Sequence, residues 1–469
     1  MYALADCNNF FVSCERVFRP DLEHRPVIVL SGNDGCVVSR SNEAKALGIP
    51  MGAPLYQIRP LVDQHGVICF SSNFALYGDL SDRVMSILRR HTSRFEQYSI
   101  DESFLNIDHV TPTDQKTYCE NLVSTIRQGV GIPISIGIAS SKTLAKVASK
   151  YAKKYTGYHG VCEIRTDEQR LKALSTFDVA DIWGIGRKAR AKLNQRGITT
   201  ALQFAQMSAS AVQNLLNKPG LLTWQELQGQ DVIDITELPQ KQTVTTSRTF
   251  ATAVTDRTLL EQQIANFTDH CARKLRMQHT VAGQIYIYAH TSAFRTDIEQ
   301  HYLSELVTLP VPTANTQELL HYALAAFRRS YRQGVLYKKA GVVLMHIMPD
   351  DAVVQDLFDT HDRQKDQRLQ QTLDHLTDRL GRNTILFASQ ITTPTNTQPQ
   401  TCNHQREATN AQPQTCNHKR AATNAQPQTC NHQREATNVS AANQEIYKSD
   451  HRSPLYTTDL RDIITIKAK

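Results

Sequence analysis

Two adjacent carboxylates, Asp101 and Glu102, lie inside an apolar, strand-like stretch at residues 98–107. Successive side chains of a strand point to opposite faces of a sheet, so both acids cannot enter one core. We therefore expect the pair at a bend or a strand end, beside a cleft. A third carboxylate, Asp6, ends the first apolar run of the chain.

These acids repel one another unless a cation lies between them. Carboxylates combined with substrate phosphates are typical ligands of Mg²⁺. Two such ions can stabilise the attacking and the leaving oxygen of a phosphoryl transfer. The alternative interpretation is an ordinary turn at Asp101 and Glu102, with Asp6 at a solvated strand end.

The elements that must position these acids alternate between strands and helices. Apolar runs predict strands, and amphipathic or lysine-rich runs predict helices. The predicted strands are residues 1–5, 26–30, 36–39 and 132–139. The predicted helices start near Asn8 and cover 41–48, 77–88, 118–128 and 141–154.

Small polar and basic side chains lie at the end of the third of these strands and just after it. Ser39, Asn42 and Lys45 could hold a triphosphate near Asp6, although a lysine on an exposed helix face is usually just solvated. The helix at 141–154 carries lysines three or four positions apart, which share one face. That face is either solvated or covered by a polyanion. The lysines are Lys142, Lys146, Lys150 and Lys153.

A glycine-containing turn, Ile182-Trp183-Gly184-Ile185-Gly186, opens a basic helix that includes Arg187 and Lys188. The free N–H groups at such a helix start can bind phosphate. The pattern matches a helix-hairpin-helix that grips a DNA backbone without reading its sequence. A dinucleotide-binding fingerprint fits poorly, because a clean preceding strand and a third glycine are missing.

Residues 241–350 predict the order strand, helix, strand, strand, helix, strand, with 12 Lys and Arg against 8 Asp and Glu. A small basic sheet of this kind suits non-specific nucleic-acid binding, and Arg248 on its first strand is a candidate contact. Basic residues at a sheet edge can equally protect the edge from aggregation.

Composition limits the class of protein. The chain has 469 residues and a formal charge of +7, which predicts three or more domains and permits a polyanionic partner. No leader-like start or membrane-length apolar run is present, so a cytoplasmic protein without a membrane partner is expected. Ten cysteines without a Cys-x-x-Cys pair predict reduced thiols rather than a zinc ribbon.

A fourteen-residue unit begins at Gln398 and recurs at Gln412 and Gln426. Its low hydrophobicity and its Gln, Asn, Thr and Pro content predict a disordered linker. The repeated Cys-Asn-His triplet leaves a metal-binding array as the alternative.

Seven segments in order resemble the Y-family DNA polymerases, and more narrowly the UmuC-type catalytic subunits of bacterial DNA polymerase V and its plasmid-borne relatives. The resemblance covers about residues 1–390 and resumes at Ser453. The segments are residues 6–11 (DCNNFF), 33–38 (NDGCVV), 43–48 (EAKALG), 69–73 (CFSSN), 98–102 (YSIDE), 142–146 (KTLAK) and 183–187 (WGIGR).

The resemblance implies roles for individual residues. Asp6, Asp101 and Glu102 would be the catalytic metal-binding acids, with the Cys7 carbonyl as a further ligand of Mg²⁺. Phe11 would be the steric gate that excludes a ribose 2′-OH. The residues implied to bind the nucleotide are Phe10, Phe11, Ser39, Asn42, Lys45 and Lys153, and the candidates for DNA binding are Gly184, Gly186, Arg187, Lys188 and Arg248.

The implied fold is a multidomain α+β right-handed polymerase with palm, small fingers, a helical thumb carrying the hairpin, and an α/β little finger, followed by a partly disordered tail. The expected boundaries are palm 1–19 and 71–165, fingers 20–70, thumb 166–235, little finger 241–350, a clamp-motif region 351–393, repeats 394–440 and tail 441–469.

The implied activity is error-prone translesion DNA synthesis in the SOS response to DNA damage, on primer-template DNA and deoxynucleoside triphosphates. The implied partners are a UmuD′-type dimer, a RecA-type recombinase filament and a sliding clamp. Gln355, Leu357 and Phe358 form the candidate clamp motif, in which Val354 replaces the usual leading Gln.

Two other functions compete with this one. A nucleotidyl cyclase shares the two-metal chemistry but needs neither a phosphate-gripping hairpin nor a basic sheet. A catalytically inactive DNA-binding accessory protein would tolerate loss of carboxylates, yet all three acids are present.

Overall fold

A computed structural model describes residues 1–235, 242–353, 362–381, 384–391 and 447–453. Two compact units divide them: the first contains 1–235 and 449–453, and the second contains the remainder. The candidate clamp motif at Gln355, Leu357 and Phe358 lies outside the described residues, as do the fourteen-residue repeats.

The first unit alternates strands and helices much as its sequence predicts. Its strands are β1 (Tyr2–Cys7), β2 (Val27–Leu30), β3 (Val37–Arg40), β4 (Ile68–Ser71), β5 (Phe95–Gln97), β6 (Glu102–Asn106), β7 (Ile134–Ala139) and β8 (Val161–Ile164). Its helices are α1 (Phe10–Phe18), α2 (Asn42–Ala46), α3 (Leu55–His65), α4 (Phe74–Arg89), α5 (Gln115–Val130), α6 (Lys142–Lys154), α7 (Asp167–Ser175), α8 (Arg187–Asn194), α9 (Ala201–Ala205) and α10 (Ala209–Leu227).

Two sheets organise this unit. One has the strand order β5-β6-β1-β7-β8, and β1 pairs with β6 and β7 in antiparallel register. Helices cover both faces of β1, so nearly every one of its residues is buried, as expected of a central strand. The other sheet, β3-β2-β4, lies beside α1, which begins directly after β1.

Helix starts in this unit follow their capping residues. Ser41, Asn73 and Ser141 each accept a backbone N–H in the first turn of α2, α4 and α6, which satisfies an otherwise unpaired donor. Helix α10 is interrupted at Asn217, two residues before Pro219.

The second unit has the element order that the sequence predicts. The elements are β9 (Thr243–Val254), α11 (Arg257–Met277), β10 (Thr280–His290), β11 (Tyr302–Thr313), α12 (Thr316–Ser330), β12 (Tyr337–Pro349) and α13 (Arg363–Leu380). The sheet order is β11-β10-β12-β9, and α11 and α12 supply a single hydrophobic core against one face.

The seven cysteines within the described residues are free thiols, which confirms the prediction of reduced cysteines for that part of the chain. Within the same residues, no helix combines the length and the apolar character needed to cross a membrane.

Candidate active site

The three acids meet at one end of the first sheet. Register places Asp6 of β1 directly opposite Glu102, the first residue of β6. Asp101 occupies the bend before β6, and its carbonyl accepts the Cys7 N–H at 2.9 Å. The predicted strand end is therefore confirmed, and it joins acids that are almost a hundred positions apart in sequence.

Ser99 shapes the bend that carries Asp101 and Glu102. Its Oγ accepts the N–H groups of both residues, at 3.2 and 3.0 Å, and donates to Asp101 Oδ1 at 2.6 Å. A serine that bonds to the backbone two or three residues ahead is a familiar turn former. Sequence reasoning missed this role, although a Ser two residues before the acids was a usable signal.

Two lysines of α6 partly neutralise the acids. Lys153 forms an ion pair with Asp6, and Lys146 Nζ lies 2.9 Å from Glu102 Oε2. Burial nevertheless raises the pKa of Asp6 to about 7, with the charge of Glu102 adding to the rise and Lys153 opposing it. Among the described residues, no three acidic, His or Cys side chains form a ready-made metal cage.

The α6 lysines have ion-pair partners within the same unit. Lys142 is 1 % exposed and pairs with Glu96, while Lys150 pairs with Asp181. Each of the four lysines thus has a carboxylate of the same unit as its partner. A solvated face is therefore wrong for Lys142, and these acids offset part of the repulsion among the lysines. A polyanion on the more exposed lysines, Lys150 and Lys153, stays a prediction.

A cavity of about 240 Å³ opens beside Asp6 and Asp101. Five of the six residues predicted to bind the nucleotide line it, as does Cys7. These residues are Phe10, Phe11, Ser39, Lys45 and Lys153. The sixth, Asn42, lies beside Lys45, whose Nζ is 3.3 Å from Asn42 Oδ1.

Asn9 forms hydrogen bonds with two of the residues that line the cavity, Ser39 and Lys45. Its backbone is left-handed, with φ of 48°, which Asn tolerates better than most residues. Its Oδ1 accepts from Lys45 Nζ at 2.5 Å, and its carbonyl accepts from Ser39 Oγ at 3.4 Å. Burial and the neighbouring charge of Arg40 lower the pKa of Lys45. Asn9 and Arg40 also line the cavity, and sequence reasoning missed both.

Two aromatic side chains of α4 pack against Phe11, the candidate steric gate. The Phe11 ring stacks on Tyr77, with centroids 4.5 Å apart and planes at 14°. Phe74 meets the same ring edge-on at 5.8 Å. Helical periodicity identified α4 but did not single out these two side chains.

The hairpin turn has the predicted form. Gly184 has φ of 89°, and a Cβ there would lie 2.7 Å from Thr223 Oγ1, so glycine is required. Helix α8 begins directly after Gly186, and Arg187 and Lys188 at its start are exposed.

Arg248 is exposed on β9 of the second unit, where its guanidinium lies 5.4 Å from the ring centroid of Tyr447. Tyr447 packs against Phe250, which belongs to the helix-covered core of the sheet. The role of Arg248 in DNA binding stays a prediction.

Comparison with known proteins connects this geometry to a family. The impB/mucB/samB family matches residues 5–150, and the C-terminal domain of that family matches residues 241–357. The chain is 36% identical over 399 residues to the protein ImpB of Salmonella typhimurium, covering 84% of this chain and 94% of that protein. The chain belongs to the impB/mucB/samB family.

Another impB/mucB/samB relative is UmuC of Salmonella typhimurium strain LT2, 37% identical over 394 residues, which are 83% of this chain and 93% of UmuC. A solved Y-family DNA polymerase chimera of Dbh and Dpo4 has the same fold, with a TM-score of 0.59 and 19% identity. The match covers 74% of this chain and 99% of the chimera.

These findings confirm the predicted membership of the UmuC-type Y-family polymerases and the multidomain α+β fold class. They also confirm an error-prone translesion DNA polymerase acting in mutagenesis. The metal and the partner proteins stay predictions. The domain boundaries, the individual site residues and the cytoplasmic location stay predictions.

Proposed function

We propose that Asp6, Asp101 and Glu102 are the catalytic acids of template-directed nucleotidyl transfer. The observation that carries this proposal is their convergence at one sheet end, where Asp6 and Asp101 also line a cavity with a hydroxyl and lysines on its walls. A cluster of acids beside cationic groups is suited to holding both a metal and a polyphosphate.

The donor set fits Mg²⁺. Carboxylates and the Cys7 carbonyl are hard oxygen ligands, and the raised pKa of Asp6 indicates a site where an added cation would be favourable. When bound, two Mg²⁺ ions stabilise negative charge on the attacking and leaving oxygens. Asp6, Asp101 and Glu102 would hold them, with the Cys7 carbonyl as a further ligand.

The triphosphate would lie along Ser39, Asn42, Lys45 and Lys153. Lys153 pairs with Asp6, and its ammonium group at the cavity wall would face the phosphate oxygens. Asn9 would keep Lys45 at the cavity wall through the bond to its Nζ.

Phe11 would exclude a ribose 2′-OH by its bulk, with Phe10 beside it in the cavity wall. The stack on Tyr77 limits how far the Phe11 ring can retreat. Sugar selection in this proposal is a steric task.

Primer-template DNA would be held by the turn at Gly184 and Gly186, by Arg187 and Lys188, and by Arg248. The proposed domains are the palm, fingers, thumb and little finger with the boundaries given above. A UmuD′-type dimer, a RecA-type filament and a sliding clamp at Gln355, Leu357 and Phe358 complete the proposed partners.

The test replaces Asp6 or Asp101 by Asn in the full chain. Each change should abolish single-nucleotide insertion and leave primer-template binding largely intact, because grip comes from phosphate contacts elsewhere. Asp82→Asn, an exposed acid on α4, is the matched control and should insert normally. Turnover near that of the unmodified protein in either active-site variant would refute the assignment.

A further inference from the structure

Residues 450–453, which follow the repeats, pack on the first unit. Strand β4 is an edge strand that pairs with β2 on one side, and residues 450–453 lie along the other side of β4. The Ser71 N–H donates to the His451 carbonyl at 3.0 Å, and the His451 N–H donates to Ser71 Oγ at 2.9 Å. Ser71 and Arg452 form a parallel β-bridge.

A buried carboxylate anchors the start of this segment. Asp34 accepts the Asp450 N–H on Oδ2 at 2.8 Å and the Ser71 hydroxyl on Oδ1 at 2.5 Å. Asp34 is only 5 % exposed, so both oxygens depend on these protein donors.

Ser453 continues the contact into the unit's interior. Its Oγ donates to Glu15 Oε1 at 3.2 Å and accepts from Asn73 Nδ2 at 3.1 Å. Tyr77 donates its hydroxyl to the same Glu15 oxygen at 2.7 Å. Glu15 is fully buried, and within the part of the chain that the structure describes its Oε2 has no hydrogen-bond partner. The hydrogen bonds to the Glu15 side chain there come from the Ser453 and Tyr77 hydroxyls.

Glu15 and Phe11 lie one turn apart on α1 and therefore share a helix face. Both reach Tyr77 of α4: Glu15 through the phenolic hydroxyl and Phe11 through the stacked ring. The orientation of Tyr77, and with it the wall behind Phe11, thus depends on a carboxylate that Ser453 helps to satisfy.

We propose that Ser453 is a positioning residue for sugar selection, acting through Glu15 and Tyr77 on the Phe11 ring. The proposal rests on the assignment of Phe11 as the steric gate. It makes the segment after the repeats a working part of the nucleotide pocket. The hydrogen bonds of Ser453 lead through Glu15 and Tyr77 to the back of the Phe11 ring, which the incoming sugar would meet.

The experiment compares three full-length variants. Ser453→Ala removes the hydroxyl, Ser453→Thr keeps it, and Arg452→Ala changes the exposed neighbour in the same bridge. Single-nucleotide insertion gives the ratio of kcat/KM for a deoxynucleotide to that for the matching ribonucleotide. Ser453→Ala should lower this ratio by about three- to tenfold, the range that one lost hydrogen bond supports. Ser453→Thr and Arg452→Ala should preserve it.

An unchanged ratio in Ser453→Ala would overturn the proposal. Phe11→Ala is measured alongside: if it lowers the ratio and Ser453→Ala does not, only the positioning role fails. If Phe11→Ala also leaves the ratio unchanged, the gate assignment itself fails.

Hydrogen exchange gives a second measurement that needs no variant. In the unmodified protein, the Ser71 amide should be protected, because it donates to the His451 carbonyl. Exchange of this amide at the rate of an exposed loop would show that the segment does not dock, and would overturn the proposal even if Ser453→Ala does not fold.

Discussion

Replacing Lys142 by Met tests the internal role of the lysine face directly. Lys142 Nζ lies 2.7 Å from the Ile233 carbonyl and 3.4 Å from Glu96 Oε2, and it sits over the Tyr2 ring at 4.3 Å. Methionine keeps the length and the apolar stem but leaves the Glu96 carboxylate, 1 % exposed, without this cation.

The expected loss of unfolding free energy is about 3 kcal/mol, the low end of the range for breaking a buried ion pair by removing one partner. The low end applies because Arg94 Nε stays 2.9 Å from Glu96 Oε1. Solvent screening does not reduce the figure further, since both side chains of the pair are buried. Adding Glu96→Gln should make the double loss at least about 1 kcal/mol smaller than the sum of the single losses.

Urea unfolding followed by tryptophan fluorescence isolates the relevant unit. The chain has two tryptophans, Trp183 and Trp224, and both belong to the first unit. Lys154→Met, an exposed lysine on the same helix, is the matched control and should change stability by no more than about 0.5 kcal/mol. A loss below about 1 kcal/mol in Lys142→Met, or a weakened grip on DNA with stability intact, would refute the internal pairing.

Three further outcomes are expected. Burial raises the pKa of Glu15 above its ordinary value. The free energy of unfolding of the unmodified protein, compared with that of Glu15→Gln, should therefore be greatest in acid and decline as the pH rises through that raised pKa. A difference that stays constant in urea unfolding between pH values of about 5 and 8 would contradict this. Lys188→Ala should weaken primer-template binding equally across sequences and reduce the salt slope by about 1 in fluorescence anisotropy; an unchanged slope would remove Lys188 from the DNA contact. Deleting residues 398–438 should leave primer extension and clamp binding unchanged, and the full chain should hold no stoichiometric zinc; zinc that disappears with the deletion would favour a Cys-Asn-His array.

Local patterns predicted the strands and helices because the buried face of each element follows from the spacing of its own apolar residues. Alternation and apolar runs placed β1, β6 and β7, and the adjacent acids at 101 and 102 predicted the bend that the structure has. Contacts between distant segments were not available from such patterns. Ser453 and Glu15 are 438 positions apart, and no pattern in the sequence around either residue indicates a contact with the other.

The lysine face shows why partner choice was the harder inference. A 3.6-residue period tells which lysines of α6 share a face, but it does not tell whether that face meets water. Lys142 is buried against residues far along the chain, namely Glu96, the Ile233 carbonyl and the Tyr2 ring. Helix α6 itself lies very close to β7. A Cβ on Gly137 of β7 would lie 2.1 Å from the Ala145 carbonyl and from the Ser149 N–H, so only glycine lets the helix lie so near the strand.

That close approach leaves a signal in the sequence after all. The side of α6 that meets β7 carries the small residues Ala145 and Ser149, and the facing strand carries Gly137. Small residues on a helix opposite a strand glycine predict backbone contact rather than side-chain packing. Three of the lysines on this helix pair with acids of the sheet: Glu96 of β5, Glu102 of β6 and Asp6 of β1. The lysines of such a helix should first be tested as internal ion-pair partners.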